Sequence, residues 1–166
     1  MYSLNVPVPG SVGRIASELH PSLARFDRVR ERHSLVAKRL GEAESVDRLR
    51  ERCRQALVGR PTFEARVDGI DVFESPVSGP GPVVYLRVES PGLRLVHETL
   101  TAEFDPVEGI EGDDYVPHVT LARGGDPDAV DRLLQREIDP VTWRVTELEL
   151  WDATYEVSPG TLSLPG

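Results

Sequence analysis

The chain has 166 residues, 39% of them hydrophobic, which suits one folded domain with a buried core rather than a disordered polymer. Its formal net charge of −9 excludes a protein that coats long duplex nucleic acid through a broad basic face, but leaves room for a short oligonucleotide or nucleotide held by a few local cations. Cys53 is the only cysteine, which rules out a disulfide framework and a cysteine-rich zinc site. No apolar run approaches the ~20 residues of a membrane span. The opening MYSLNVPVPG lacks the basic-then-apolar pattern of a secretory signal, so the chain reads as cytoplasmic, with no membrane partner, and is taken as a monomer.

In chain order, residues 2–8 alternate as a strand does. Ser11 is placed to cap a helix carrying Val12, Ile15 and Leu19 at helical spacing, with its end expected at His20-Pro21. Residues 25–32, RFDRVRER, read either as a solvated connector or as a local phosphate-attracting patch. Residues 33–40 read as the next strand, broken by Gly41. Ser45 then caps a helix whose stripe is Val46, Leu49, Cys53, Ala56 and Leu57. Strands follow at 63–73 and 83–89, joined through a turn at 79–82, and a helix is expected over 91–104 with His97 one position off its apolar stripe. Residues 105–114 form an acidic loop without the spacing of a calcium loop, and no metal is assigned to it. A strand over 115–123, a helix capped by Asp126 with Pro127 at its first position, a strand over 141–151 and a last strand or hairpin within 153–164 complete the chain.

The stretch YVPHVTLAR, residues 115–123, carries the chemistry. In a strand His118 and Thr120 share one face while Val119 and Leu121 share the other, so an imidazole and a hydroxyl meet a groove while two apolar side chains anchor the core. The same parity puts Arg123 opposite His118 unless the strand bends at Ala122. A histidine followed by a strand and then a helix also occurs earlier, in HSLVAKRLG with Val46-Asp47-Arg48-Leu49, echoed by HVTLARGG with Val130-Asp131-Arg132-Leu133. Two such halves about a pseudo-twofold axis would set His33 and His118 across one groove. One neutral imidazole can then deprotonate an attacking nucleophile and one protonated imidazole can serve the leaving oxygen at a phosphodiester, with no cofactor.

On these residues the chain resembles the two-histidine phosphoesterase superfamily, in particular its 2'-5' RNA ligase and RNA 2',3'-cyclic phosphodiesterase group. Pro117, His118, Thr120, Leu121, Ala122 and Arg123 match the second motif of that group, and YSLNVPVP is similar to its opening strand. The resemblance implies an α+β fold of two pseudo-symmetric lobes, antiparallel strands with outer helices around a central groove, formed by residues 1–166 as one domain. It implies catalysis by His33 and His118, and phosphate binding by Ser34, Thr120, Arg123 and Lys38. The implied substrates are short RNA ends or cyclic nucleotides with 2',3'-cyclic or 2',5'-linked phosphates.

The first motif departs from the pattern. The family's hydroxyl place, two residues after the histidine, holds Leu35, and Gly41 falls eight residues after His33 where seven is usual. From His33 to Val46 is 13 positions, against 12 from His118 to Val130. A one-residue bulge near His33 reconciles both counts and lets Ser34 supply the hydroxyl. The alternative is a degenerate first half-site, and with it a catalytically weakened protein that only binds RNA ends or nucleotides.

Overall fold

Residues 1–165 are described by the computed structural model. The period-two pattern of the N-terminus forms β1 (Tyr2–Val6), which buries Leu4 and Val6 against the core. The first half continues with α1 (Gly10–Leu23), a two-residue β2 (Arg28–Val29), β3 (Leu35–Gly41) and α2 (Val46–Ala56). The second half has a strand, helix, strand, helix order of its own. After β4 (Phe63–Phe73) come β5 (Val83–Glu89), α3 (Pro91–Thr101), a short 3-10 turn at Gly112–Asp114, β6 (His118–Arg123) and α4 (Pro127–Leu134). Then β7 (Val141–Val145), β8 (Glu147–Asp152) and β9 (Val157–Ser163) close the fold.

All strands join one antiparallel sheet in the order β7-β4-β5-β6-β3-β1-β8-β9, with β2 added beside β6. The two halves meet where β3 and β6 pair, at Leu35 opposite Val119. Both side chains are fully buried, together with Leu4, Leu86, Leu121 and Leu150, on the face covered by the helices. The other face of β3 and β6 is left for a groove. The architecture is therefore an α+β arrangement of antiparallel strands and helices around a groove, as the resemblance implies. Among the described residues no helix is long and apolar enough to cross a membrane.

The first helix and the run 141–151 differ from their sequence pattern. The first helix runs past His20-Pro21 to Leu23: Pro21 removes one hydrogen bond from the last turn, but Leu23 at 1% exposure holds that turn in the core. Its N-cap is Pro9 rather than Ser11. The alternating run 141–151 splits at Thr146, because Val141–Val145 pairs with β4 at one end of the sheet and Glu147–Asp152 pairs with β1 across the molecule. The caps expected at Ser45 and Asp126 do form, Ser45 accepting from the Arg48 N–H and Asp126 from the Ala129 N–H.

Candidate functional site

The register of the central strands fixes which side chains meet. Leu35 lies opposite Val119, so one residue to either side Ser34 stands opposite Thr120 and Val36 opposite His118. All four of these side chains line one small cavity of about 80 Å³ with Arg30, Arg32, Arg39 and Arg123. A twofold relation through the Leu35–Val119 pair therefore makes Ser34 the counterpart of His118, and Val36 the counterpart of Thr120.

Two bulges support this correspondence. On β3, Val36 pairs with Asn5 and Lys38 with Leu4, which leaves Ala37 unpaired. On β6, Thr120 pairs with Tyr85 and Ala122 with Val84, which leaves Leu121 unpaired. Ala37 is three residues after Ser34, and Leu121 is three after His118. A bulge changes which face the following residues present, so Arg123 returns to the groove, five residues after His118. Arg39 does the same, five residues after Ser34. The sequence counts fall into line with this pairing: Gly41 is seven residues after Ser34, and Val46 is twelve after it.

His33 does not share this cavity. It precedes β3 and lines a neighbouring cavity with Asn5, Pro7, Val8 and Glu149, reached past Arg32 and Ser34. Burial and the nearby Arg30 lower its pKa, and its side chain holds no hydrogen bond among the described residues. Arg32, between the two cavities, stacks its guanidinium 3.6 Å from the Trp151 ring centroid and pairs with Glu149 at 3.4 Å.

His118 is held firmly. Its Nδ1 donates to the Val116 carbonyl at 2.7 Å, which assigns Nε2 as the free acceptor of the neutral ring. Phe73 and Tyr85, stacked on each other, both meet the imidazole edge-on, with centroids at 5.1 and 5.3 Å. Burial pushes the pKa of His118 down; Arg39, Arg123 and Arg30 push the same way, against the opposing effect of the Val116 bond. The ring is therefore neutral near pH 7.

The cations are set for an anion. Arg123 donates from Nη1 to the Ser78 carbonyl at 2.8 Å, so the β4–β5 loop aims it. Gly79 makes this possible: its φ is +76°, and a Cβ there would lie 2.8 Å from that same nitrogen. Burial, Arg30 and Arg28 all lower the pKa of Arg123, the mark of positive charges crowded together. The side chains of Arg30 and Arg39 hold no ion pair among the described residues. Arg39 was visible in sequence as a cation beside the first motif; Arg30 and Arg32 were visible only as part of the run RFDRVRER.

Lys38, expected at the phosphate, is elsewhere. It is wholly buried, its Nζ 2.6 Å from Glu111 Oε1 and also donating to the carbonyls of Arg39 and Asp105. The bulge at Ala37 explains the turn inward, since it exchanges the faces of Lys38 and Arg39. Burial pushes the Glu111 carboxyl up, but bonds from the Arg39 N–H, Lys38 and the Val107 N–H outweigh it and leave the pKa below the ordinary range. Next to this pair His97 stacks on Tyr115 at 3.7 Å, with Nδ1 on the Ala37 carbonyl and Nε2 accepting from the Gly112 N–H. Among the described residues no cluster of three or more His, Cys, Asp or Glu could hold a metal ion.

The model of the 2'-5' RNA ligase superfamily matches residues 16–154. The chain belongs to that superfamily. No curated protein matches it. Among solved structures, TT0787 of Thermus thermophilus superposes with a TM-score of 0.65 at 21% identity, covering 99% of this chain and 98% of that one. E. coli LigT complexed with 3'-AMP superposes with a TM-score of 0.68 at 16% identity, covering 99% and 98%. E. coli LigT complexed with ATP gives 0.58 at 19% identity, again covering 99% and 98%. At these identities the likeness to the superfamily's structures is one of fold.

Proposed function

We propose that the groove binds the phosphate of RNA ends or nucleotides carrying 2',3'-cyclic or 2',5'-linked phosphates, and that His118 alone moves the proton in slow phosphoester chemistry there. The observation that carries this reading is the register at Leu35–Val119, which sets Ser34 rather than a histidine in the place related to His118. Superfamily membership and the arginine-lined cavity support the phosphate ligand.

In this reading Arg39 and Arg123 hold the non-bridging oxygens, with the hydroxyls of Ser34 and Thr120 beside them. The free Nε2 of His118 takes the proton of an attacking water as it adds to phosphorus. The departing sugar oxygen has no protein acid within the cavity and takes its proton from solvent. A positioned acid contributes typically 10²–10⁴-fold, so turnover falls short of a two-histidine site by about that factor.

Titration with inorganic phosphate and with adenosine 2'-monophosphate tests the binding. Arg39→Ala and Arg123→Ala are each expected to weaken both ligands about tenfold or more. Equal affinity in both variants and the wild type would contradict it.

A second reading makes His33 the missing acid. It is favoured by the position of His33 one residue before Ser34, outside the strand, with no hydrogen bond on its side chain among the described residues. Substitution of each histidine separates the two readings.

A further inference from the structure

Beside the arginine-lined centre lies a second, apolar cavity of about 220 Å³, which shares Val36, His118, Thr120, Arg39 and Arg123 with it. Its walls are aliphatic and aromatic, with Phe73, Val83, Ile110 and Val116 among them. Phe73 is braced from behind by Tyr85 at 4.3 Å. The volume is below the ~300–1,000 Å³ of sites that enclose a whole drug-sized ligand, so it takes a planar ring rather than a complete nucleotide.

At its rim stands Asp114, exposed, on the turn Gly112–Asp114. Its carboxylate makes no ion pair and no hydrogen bond among the described residues, unlike neighbouring Glu111, which is fully engaged. One slot thus has a cationic end, largely apolar walls and, among its lining residues, a single carboxylate. That pattern fits a ligand with an anionic group, a flat ring and an edge that donates hydrogen bonds.

We propose that this slot takes the base of the bound nucleotide and that Asp114 selects guanine. The inference rests on the phosphate-binding reading of the adjoining centre. An ionised carboxylate only accepts hydrogen bonds. Guanine presents two adjacent donors, its N1–H and its exocyclic amine, which one carboxylate can take together. Adenine and cytosine each offer an amine next to a ring nitrogen that is itself an acceptor and repels the carboxylate. Uracil offers one N–H between two carbonyl oxygens, which repel it on both sides.

Calorimetric titration with the 2'-monophosphates of guanosine, adenosine, cytidine and uridine, and with inorganic phosphate, tests this. The wild type is expected to bind the guanosine nucleotide about tenfold or more tightly than the other three. Asp114→Asn and Asp114→Ala remove that preference while leaving phosphate affinity unchanged. Four equal affinities, or a guanine preference that survives both variants, would overturn the role of Asp114 and leave the phosphate site standing. Absence of binding by phosphate and all four nucleotides would overturn both.

Discussion

At the scale of single residues, the site depends on a displacement of one position. His33 and Ser34 are adjacent, and the register of β3 against β6 decides that Ser34 lines the cavity of His118 while His33 lines the neighbouring one. If Ser34 and Val36 stand where the partner motif belongs, installing that motif raises activity. Ser34→His combined with Val36→Thr is expected to increase hydrolysis of a 2',3'-cyclic nucleotide about 100-fold, measured as initial rate; no gain in a folded double variant would count against the correspondence. The pH profile follows from His118. A general base works in its neutral form, and burial followed by the three arginines lowers the pKa of this one. The acid limb of kcat/KM is therefore expected to have its midpoint below the ordinary value of about 6.5, with activity flat from there through neutral pH. His118 and Thr120 were legible in the sequence because a strand's alternation puts both on one face. The first half-site was not legible in the same way, because the nearest histidine drew the motif one residue early. The spacing to Gly41 and to Val46 held the correction, but only the pairing shows which strand residue it applies to.

At the scale of elements, the acidic segment 105–114 is tied to β3 by a buried polar network. Lys38 and Glu111 are both fully buried, the Tyr115 hydroxyl donates to the Val36 carbonyl at 2.8 Å, and His97 bridges Ala37 and Gly112. These bonds hold the bulge that turns Arg39 toward the groove, and they hold the segment that walls the apolar slot. Removing one partner of a buried pair leaves the other charge without compensation. Lys38→Met is thus expected to destabilise the fold by about 3 kcal/mol in urea unfolding, and an unchanged midpoint would show that the pair contributes little. Helices and strands were legible element by element from periodicity and caps. The network was not, because it joins residues 38, 97, 111 and 115 through a fold that brings distant segments together, and a lone lysine beside a motif reads as a ligand contact. The sequence counts pointed to a bulge near His33 and a bend at Ala122; the bulges lie at Ala37 and Leu121, and they are what bring Arg39 and Arg123 to the same face as His118.

At the scale of the whole molecule, a chain of net charge −9 gathers Arg28, Arg30, Arg39 and Arg123 at the centre of its sheet. Their mutual repulsion costs stability in the free protein and is offset when an anion enters, so the acidic total and the anion-binding centre are compatible. The twofold order of strands explains the position of that centre, since both halves deliver a strand to the same line and an arginine five residues along it. Around the Leu35–Val119 pair the two strands correspond in register and bulge position while their chemistry differs, with His118 and Thr120 on one side and Ser34 and Val36 on the other. Whether this asymmetry governs function is tested most directly by the rate of 2',3'-cyclic nucleotide hydrolysis in His33→Ala and His118→Ala, each checked for folding. The expected result is a slow wild-type rate that His33→Ala leaves within about twofold and His118→Ala lowers by about 100-fold or more. Loss of activity in His33→Ala equal to that in His118→Ala would contradict a one-histidine site and restore His33 as its second catalytic group.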